Sequence, residues 1–354
     1  MNSSTQLASS GGWRTAKKQR GLTLVELMVS IVLGLMVVLA ATALLVSSKS
    51  SYTTQDDESV VRDAGRYALE NITRSVRQSA FVNLDTETVA NSGTLQAPIT
   101  MTSTMSANLK GYDGKTLISD SSATLTDSDV TSDGVVNGSD VLAVRFFGVG
   151  NKTTGSINKD GYGSIVDCAG FGVSAPTSQT TADADRGWSI YYVAKDATGE
   201  PQLRCKYRGE SSKGYGWSSE SIVRGVESFQ VLYGVDTDND KIPNQYLTAT
   251  QIDALDAAAA KDNPGKTLNE YTYWKKVVVI KVALLMRGEK NVQGDTSTMV
   301  FDLFGKAYSD ANASNDTGSH IEVSKLDAQV KKRVRKLFET TIQYRNSATS
   351  SNTQ

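Results

Sequence analysis

The stretch GLTLVELMVSIVLGLMVVLAATALLV, from Gly21 to Val46, decides the fold of this chain. Residues 22–46 are almost wholly apolar, contain no Lys, Arg or Pro, and carry a single acid, Glu26. As a helix with a rise of ~1.5 Å per residue this run is about 37 Å long, enough to cross a hydrocarbon layer of about 30 Å with some tilt. We therefore expect a transmembrane helix over residues 22–46.

Positive charges lie just ahead of this run, at Lys17, Lys18 and Arg20. Such a flank favours the cytoplasmic side, so we expect a single pass through the inner membrane with a cytoplasmic N-terminus and the remaining chain beyond it. The run is too long for a secretory signal, whose apolar region has about 7–15 residues. A plain membrane anchor leaves Glu26 unexplained, because an acid within an apolar span is costly and marks a functional position.

The order of residues around Glu26 resembles a known signature. Basic residues, Gly21, an apolar residue, the sequence Thr-Leu-Val-Glu-Leu and a long apolar helix are similar to the prepilin motif of type IV pilins and type II secretion pseudopilins. The resemblance implies a leader of residues 1–21, cleavage between Gly21 and Leu22 by a prepilin peptidase, and N-methylation of the new Leu22 amine. It also places the family's assembly glutamate at Glu26.

Elementary electrostatics agrees with that role for Glu26. After cleavage, Leu22 would carry a positive amine at a helix N-terminus, where unpaired N–H groups already give a partial positive charge. Neither the amine nor the carboxylate is cheaply left unpaired in lipid or in a dry filament core. Pairing Glu26 of one subunit with the Leu22 amine of a neighbour satisfies both groups and fixes the axial offset of the subunits.

Four further stretches narrow the resemblance to PilW-type minor pilins: ESVVRDAGRYALENITRSVRQSAF at 58–81, GSDVLAVRFFG at 138–148, VRGVESFQVLYGVDTDND at 223–240 and TTIQYRNS at 340–347. This resemblance implies a minor subunit that takes part in type IV pilus assembly or initiation, with other minor and major pilins as partners. It implies a final location in the pilus, in the periplasm or at the cell surface. Two alternatives stay open, a type II secretion pseudopilin and a membrane-anchored, calcium-dependent adhesion module.

The hydrophobic patterns predict an α+β fold, with one long N-terminal helix packed on an antiparallel β-sheet and large loop-rich insertions. Apolar residues recur every three or four positions from Val61 to Val76, and no Pro interrupts residues 22–97, so the helix should continue to about residue 80. Residues 81–346 should form the β-rich globular domain and residues 347–354 a disordered tail. The predicted elements of this domain are strands at 141–149, 188–195, 202–208, 229–235, 278–286 and 337–344, and a helix at 250–261 capped by Thr250 and Asp253.

The chain has two cysteines, Cys168 and Cys205, so one intrachain pairing exists. Export places them in an oxidising space, where a disulfide between them is expected, and two free thiols are the alternative. The entropy of closing such a loop corresponds to ~4 kcal/mol at most.

Two acidic loops have the spacing of calcium sites. In DVTSDGVVNGSD the oxygen donors would be those of Asp129, Thr131, Asp133, Asn137 and Asp140, with the Val135 carbonyl at the seventh position of a twelve-residue loop and Gly134 at the sixth. Thr131 and Asp140 depart from the usual residues, and an acidic turn before a strand is the alternative. In DTDNDKIPN the donors would be Asp236, Asp238, Asp240, the Ile242 carbonyl and Asn244. Lys241 replaces the turn glycine there, and a solvated acidic loop is the alternative.

No catalytic constellation emerges, and the sequence predicts a protein that is not an enzyme. The single histidine, His320, argues against multi-histidine metal chemistry, and the formal net charge of −1 gives no firm indication of a nucleic-acid partner. The basic run KKRVRK, residues 331–336, is interpreted as a solvated flank of the last strand. The predicted cofactor is at most calcium.

Overall fold

The computed structural model describes residue 21 and residues 23–79, 101–119, 125–150, 164–176, 178–211, 214–291 and 298–344. The chain divides into two compact units, residues 1–52 and residues 53–354. The predicted leader up to residue 20, Leu22, and the predicted tail of residues 347–354 lie outside the described residues.

Five α-helices and thirteen β-strands form the described part of the chain. The helices are α1 (Leu24–Ser79), α2 (Ala182–Asp185), α3 (Ala249–Ala259), α4 (Leu268–Tyr271) and α5 (Lys306–Asn312). The strands are β1 (Leu109–Tyr112), β2 (Thr116–Leu117), β3 (Val130–Thr131), β4 (Val141–Phe146), β5 (Gly187–Lys195), β6 (Pro201–Ser211), β7 (Gly214–Arg224), β8 (Val226–Val235), β9 (Gln245–Leu247), β10 (Val277–Asn291), β11 (Val300–Asp302), β12 (His320–Glu322) and β13 (Arg333–Gln343). Short 3-10 helices lie at Asp127–Asp129, Ala260–Asp262, Tyr273–Lys276, Thr317–Ser319 and Val323–Lys325.

Helix α1 has two chemically different parts. The helical residues of the first unit, 24–52, are all exposed, and most of them are apolar. The part that belongs to the second unit buries a stripe of residues spaced by three or four positions, as the sequence predicts: Val61, Gly65, Ala68, Ile72 and Val76. The helix and the α+β class are therefore confirmed.

The β-structure of the second unit consists mainly of two antiparallel sheets. The five-stranded sheet has the order β1-β4-β5-β6-β7, and the four-stranded sheet has the order β13-β10-β8-β9. Strand β10 is central in the second sheet, which agrees with its nearly continuous apolar sequence VVVIKVALLM. The stripe of α1 and the facing residues of both sheets, including Tyr191, Phe229 and Ile280, share one hydrophobic core.

The chain passes from the first sheet to the second through Gly225, which has a φ of +80°. Its N–H donates to the Pro201 carbonyl at 2.7 Å, and its own carbonyl accepts from Arg287 at 2.7 Å. A Cβ at this position would collide with the Arg287 carbonyl oxygen. Glycine is therefore required here both by the positive φ and by the close approach of β10.

Two local predictions need correction. The helix predicted over 250–261 is Ala249–Ala259, and its N-cap is Thr248, with Gln251 as the reciprocal partner, instead of Thr250 with Asp253. The last strand begins at Arg333, inside the run 331–336 that the sequence suggested to be a solvated flank. Within that run the Arg335 side chain is only 2% exposed and is paired with Glu227 through its Nε at 2.6 Å. The two-residue spacing of Arg333 and Arg335 fits a strand. The periodicity of the sequence does not show, however, that Arg335 pairs with Glu227 on β8.

Candidate processing and assembly site

The N-terminus of α1 is organised by Thr23. The Thr23 hydroxyl oxygen accepts a hydrogen bond from the Glu26 N–H at 3.2 Å, and the Thr23 carbonyl accepts from Leu27 N–H at 3.1 Å. This is the bonding of a helix N-cap, which satisfies N–H groups that have no partner inside the helix. Thr23 is not among the residues predicted for this site, although the Thr-x-x-Glu spacing from Thr23 to Glu26 is the signature of a capping box.

Glu26 thus occupies the third position of the first helical turn, where the partial positive charge of the helix N-terminus favours a carboxylate. Its side chain is exposed, and within the described part of the chain its carboxylate has no hydrogen-bond or ion-pair partner. The Ser30 hydroxyl, one turn further, donates to the Glu26 carbonyl at 2.7 Å and does not occupy the carboxylate. The side-chain charge of Glu26 is therefore available to a group from outside the described structure.

The predicted cleavage site lies directly ahead of this turn. Gly21 is exposed, and no atom of the other described residues lies within 4 Å of the position that a Cβ would take there. Leu22, the predicted new N-terminus, lies outside the described residues. By length and composition α1 is long and apolar enough to cross a membrane. The motif and the helix are together consistent with an inner-membrane anchor.

Cys168 and Cys205 form a disulfide, with their Cα atoms 6.1 Å apart. The Cys168 loop is also tied to α1, because the Asn71 side chain donates to the Cys168 carbonyl at 3.1 Å. The Tyr191 hydroxyl donates to the Asn71 side-chain oxygen at 2.6 Å and lies 2.7 Å from the Ser75 hydroxyl. Burial raises the pKa of Tyr191, so this phenol stays a neutral hydrogen-bonding group. The disulfide thus fixes the loop on which the polar side chains of α1 dock.

The first predicted calcium loop does not bring its three carboxylates together. Asp129 accepts from the Thr126 N–H at 2.7 Å, and Asp133 is exposed. Asp140 is buried and accepts from the N–H groups of Gly114 and Val231 at 3.0 and 2.9 Å. Burial, with nearby carboxylates, raises the pKa of Asp140 well above its ordinary value, which makes it a poor ligand for a hard cation.

Two of the other predicted donors of this loop make hydrogen bonds through their side chains. The Thr131 hydroxyl oxygen accepts from the Asp133 N–H at 3.0 Å, Asn137 donates its side-chain N–H to the Glu227 carbonyl at 2.8 Å, and Val135 is half-buried. Asn137 has a φ of +46° and Gly134 a φ of +75°, so the loop contains tight turns. Calcium binding at this loop stays a prediction without a gathered set of ligands.

The second predicted loop does gather its acids. Ligand atoms of Asp236, Asp238 and Asp240 all lie within 4.8 Å of one another. Asp236 also accepts from the N–H groups of Lys241 at 2.8 Å and Asn239 at 2.7 Å. Desolvation acts to raise the pKa of Asp236, but these hydrogen bonds leave it below its ordinary value. The loop therefore stabilises the carboxylate through its own backbone N–H groups.

Two further residues of the second loop were predicted ligands. The Asn244 side-chain oxygen accepts from the Thr237 N–H at 2.6 Å, while its amide nitrogen donates to Asp238 at 3.1 Å. The Ile242 N–H donates to Asp240 at 2.7 Å, and the Ile242 side chain is exposed. The Asn244 oxygen is thus used within the loop, and calcium binding here also stays a prediction.

The single histidine of the chain, His320, is half-buried. It begins β12, its side chain is 28% exposed, and its Nδ1 lies 2.7 Å from an Asp302 carboxylate oxygen. No predicted function involved this residue, and its pairing across β11 and β12 explains its position.

Comparison with known proteins gives two family matches. Residues 190–346 match the family described as type IV pilus-assembly protein W (PilW), and residues 16–42 match the prokaryotic N-terminal methylation motif. They cover the stretch around Glu26 and the stretches at 223–240 and 340–346, and they confirm the PilW-type resemblance. No curated protein matches the chain.

Among solved structures, a type IV-like pilin from Thermus thermophilus is 14% identical to this chain. The match covers 60% of this chain and 80% of that chain, with a TM-score of 0.27. A similarity at this TM-score carries no weight, and the fold assignment rests on the helix and sheets described above.

Proposed function

We propose that this chain, a PilW-type type IV pilin, is a minor subunit that takes part in the assembly or initiation of a type IV pilus. In this role it is first cleaved between Gly21 and Leu22 by a prepilin peptidase and then N-methylated at Leu22. One observation carries the proposal: among the described residues the carboxylate of Glu26 has no partner, although it lies in the first turn of an exposed, apolar helix. Assembly with other pilins supplies the missing partner.

The free energy of the docking step depends on whether the Glu26 carboxylate finds its partner. Before assembly the apolar part of α1 lies in the inner membrane, with the N-terminus on the cytoplasmic side. When two subunits dock, the Leu22 amine of one pairs with Glu26 of its neighbour, and both charges leave the lipid headgroup region together. An amine left without its carboxylate in a dry interface costs about 3–5 kcal/mol. That cost corresponds to a fall of at least about 100-fold in docking affinity.

Glu26→Gln in the native pilus system tests this role, because it removes the charge with little change in shape. We expect the variant to be cleaved and to accumulate in the membrane, yet to be lost from pili sheared off the cell. Ser30→Ala is the matched control, one helical turn away, and should enter pili like the wild type. Equal amounts of Glu26→Gln and wild type in sheared pili would contradict the pairing model.

Mass spectrometry of the N-terminus tests the processing step separately. We expect the protein recovered from membranes to begin at a methylated Leu22. A protein that still begins at Met1 would rule out both processing and the proposed pairing, and would favour the membrane-anchored adhesion module. The type II secretion pseudopilin is the nearer alternative, and the PilW match supports the pilus over it. Loss of secretion with intact pili in a deletion strain would reverse that preference.

A further inference from the structure

The outer face of the five-stranded sheet carries a cleft that the assembly role does not use. Its volume is about 810 Å³, within the range of about 300–1,000 Å³ of small-molecule sites. It is lined by residues of the sheet, by residues 125–127 and by residues of the segment 268–274. All of it belongs to the second unit.

Tryptophans are concentrated in this cleft. The chain has four, of which Trp13 lies in the predicted leader, and the other three, Trp188, Trp217 and Trp274, all line the cleft. They come from β5, from β7 and from the 3-10 helix after α4, so that only the tertiary fold brings them together. Tyr112 adds a fourth aromatic ring.

The rings are held in place by their neighbours. Trp188 and Trp217 meet edge to face, with ring centroids 5.7 Å apart. The Arg145 guanidinium lies over Trp188 at 4.4 Å, and the Trp274 indole N–H donates to Asp253 at 2.8 Å. Such fixed orientations lower the entropy that a binding site must lose when it takes up a ligand.

The charged groups of the cleft are largely paired with one another. Lys110 lies 2.6 Å from Asp253, and Arg145 lies 3.3 Å from Asp183. Arg208 donates to the Ala184 carbonyl at 2.6 Å. A polyanion such as nucleic acid requires several unpaired cations for its phosphates, whereas this lining has three cations against Asp127 and Asp183, and each cation already pairs with an acid or a carbonyl.

An apolar ligand fits no better, because it would remove water from the partly exposed carboxylate of Asp183. Asp183 keeps 38% of its side chain exposed, and Asn269 and Thr126 also line the cleft, where the Asn269 amide donates to the Thr104 carbonyl at 3.1 Å. Burial and the neighbouring Asp127 raise the pKa of Tyr112, so its phenol is a neutral donor at any physiological pH. The cleft therefore combines aromatic rings, each with a cation over one face, with neutral or internally paired polar groups.

We propose that this cleft binds a short, uncharged saccharide. A pyranose ring presents a face of weakly positive C–H bonds, which packs on the negative face of an indole, and a rim of hydroxyls that both donate and accept hydrogen bonds. The hydroxyls would donate to Asp127 and Asp183 and accept from Asn269. The same recognition serves a free oligosaccharide or a glycan chain on a surface, and it does not depend on the pilus-assembly role.

Tryptophan fluorescence is a direct readout, since all tryptophans after the predicted leader line the cleft. The full-length protein, in a zwitterionic detergent without sugar headgroups, is titrated with chitotriose, cellotriose and maltotriose and is also applied to an array of immobilised glycans. We expect a saturable fluorescence change with at least one trisaccharide, or binding to uncharged glycans on the array. The first result indicates a free sugar and the second a surface glycan, and either supports the proposal.

Variants locate the site. We expect Trp217→Ala and Asn269→Ala each to weaken binding at least about tenfold, which is a change of about 1.4 kcal/mol. Phe171→Ala, which removes a ring that is 53% exposed outside the cleft, should bind like the wild type. Unfolding midpoints measured in parallel identify a variant that is misfolded. In that case the other of the two variants tests whether the ligand binds in the cleft.

Three results would overturn the proposal. They are the absence of binding to any uncharged saccharide up to about 10 mM, binding of acidic glycans alone, and binding of an oligothymidylate without any saccharide. Equal weakening by Phe171→Ala would also remove the assignment to the cleft.

Discussion

Glu227 lies at the centre of a buried ion-pair network that joins three strands of the second unit. Its side chain is 1% exposed and accepts from Arg335 Nε at 2.6 Å and from Arg287 at 2.9 Å. Arg287 also pairs with Glu200 at 3.0 Å, and Glu200 pairs with Arg333 at 2.9 Å. Two carboxylates thus hold three guanidinium groups from β10 and β13.

Glu227→Gln should therefore destabilise the protein strongly. The substitution keeps the size of the side chain but leaves the Arg335 and Arg287 side chains, which are 2% and 9% exposed, without their shared carboxylate. Removing one partner of a buried pair costs about 3–5 kcal/mol. That is a large part of the ~5–15 kcal/mol by which a protein is usually stable. For a urea m-value of about 3 kcal/mol/M the unfolding midpoint should fall by about 1–2 M.

Urea unfolding of the full-length protein, followed by tryptophan fluorescence and circular dichroism, measures this change. Glu289→Gln is the matched control, because Glu289 is 64% exposed and lies 3.7 Å from Arg224 on the surface. The control should change the free energy of unfolding by less than about 1 kcal/mol. If Glu227→Gln costs no more than the control, the buried carboxylate does not hold these strands together and our reasoning fails.

Other predictions concern the disulfide, the helix, acid stability and calcium. Replacing Cys168 and Cys205 by alanine should cost up to ~4 kcal/mol in urea unfolding, given a sequence separation of 37, and no change on reduction would contradict this. Ile72→Ala, at a fully buried position of α1, should cost about 2–5 kcal/mol, whereas Val60→Ala, 59% exposed, should cost little in the same assay. Burial acts to raise the pKa of Glu200, but hydrogen bonds from two arginines leave it lowered, so its stabilising contribution is present above pH 4.5 and is lost as the pH falls through the lower folded-state value. Glu200→Gln should flatten that part of the pH–stability profile, and an unchanged slope would argue against this contribution of Glu200. Millimolar calcium should produce heat and a thermal shift that Asp238→Asn removes, and their absence in the wild type would eliminate the calcium loops.

The regular parts of the fold were readable from sequence because their signals are local. The apolar run after Gly21 and the three- and four-residue spacing from Val61 to Val76 predict one helix, and the structure has it from Leu24 to Ser79. Strand β10 was readable for the same reason, since nine of its first ten residues are apolar, which is typical of a central strand.

Boundaries and caps were less readable, because several nearby residues offer the same chemistry. Thr248 and Thr250 both have the side chain of an N-cap, and only the backbone geometry at Thr248, with its N–H bonded to Gln251, separates them. The basic residues of β13 carry no local sign of their partners. Glu227 is more than a hundred positions before Arg335, and only strand pairing brings them together.

By itself, the sequence determined the apolar helix with its single acid, the prepilin-type motif at Gly21 and the one way in which two cysteines can pair. These features depend on neighbours in the chain or on composition. Only the tertiary structure decided that three distant tryptophans meet in one cleft and that Arg335 is buried against Glu227. It also showed that the carboxylates of Asp236, Asp238 and Asp240 converge while those of Asp129, Asp133 and Asp140 do not. The physical reason is that burial and pairing depend on contacts between residues far apart in sequence, and local spacing carries no information about which distant strands will become neighbours.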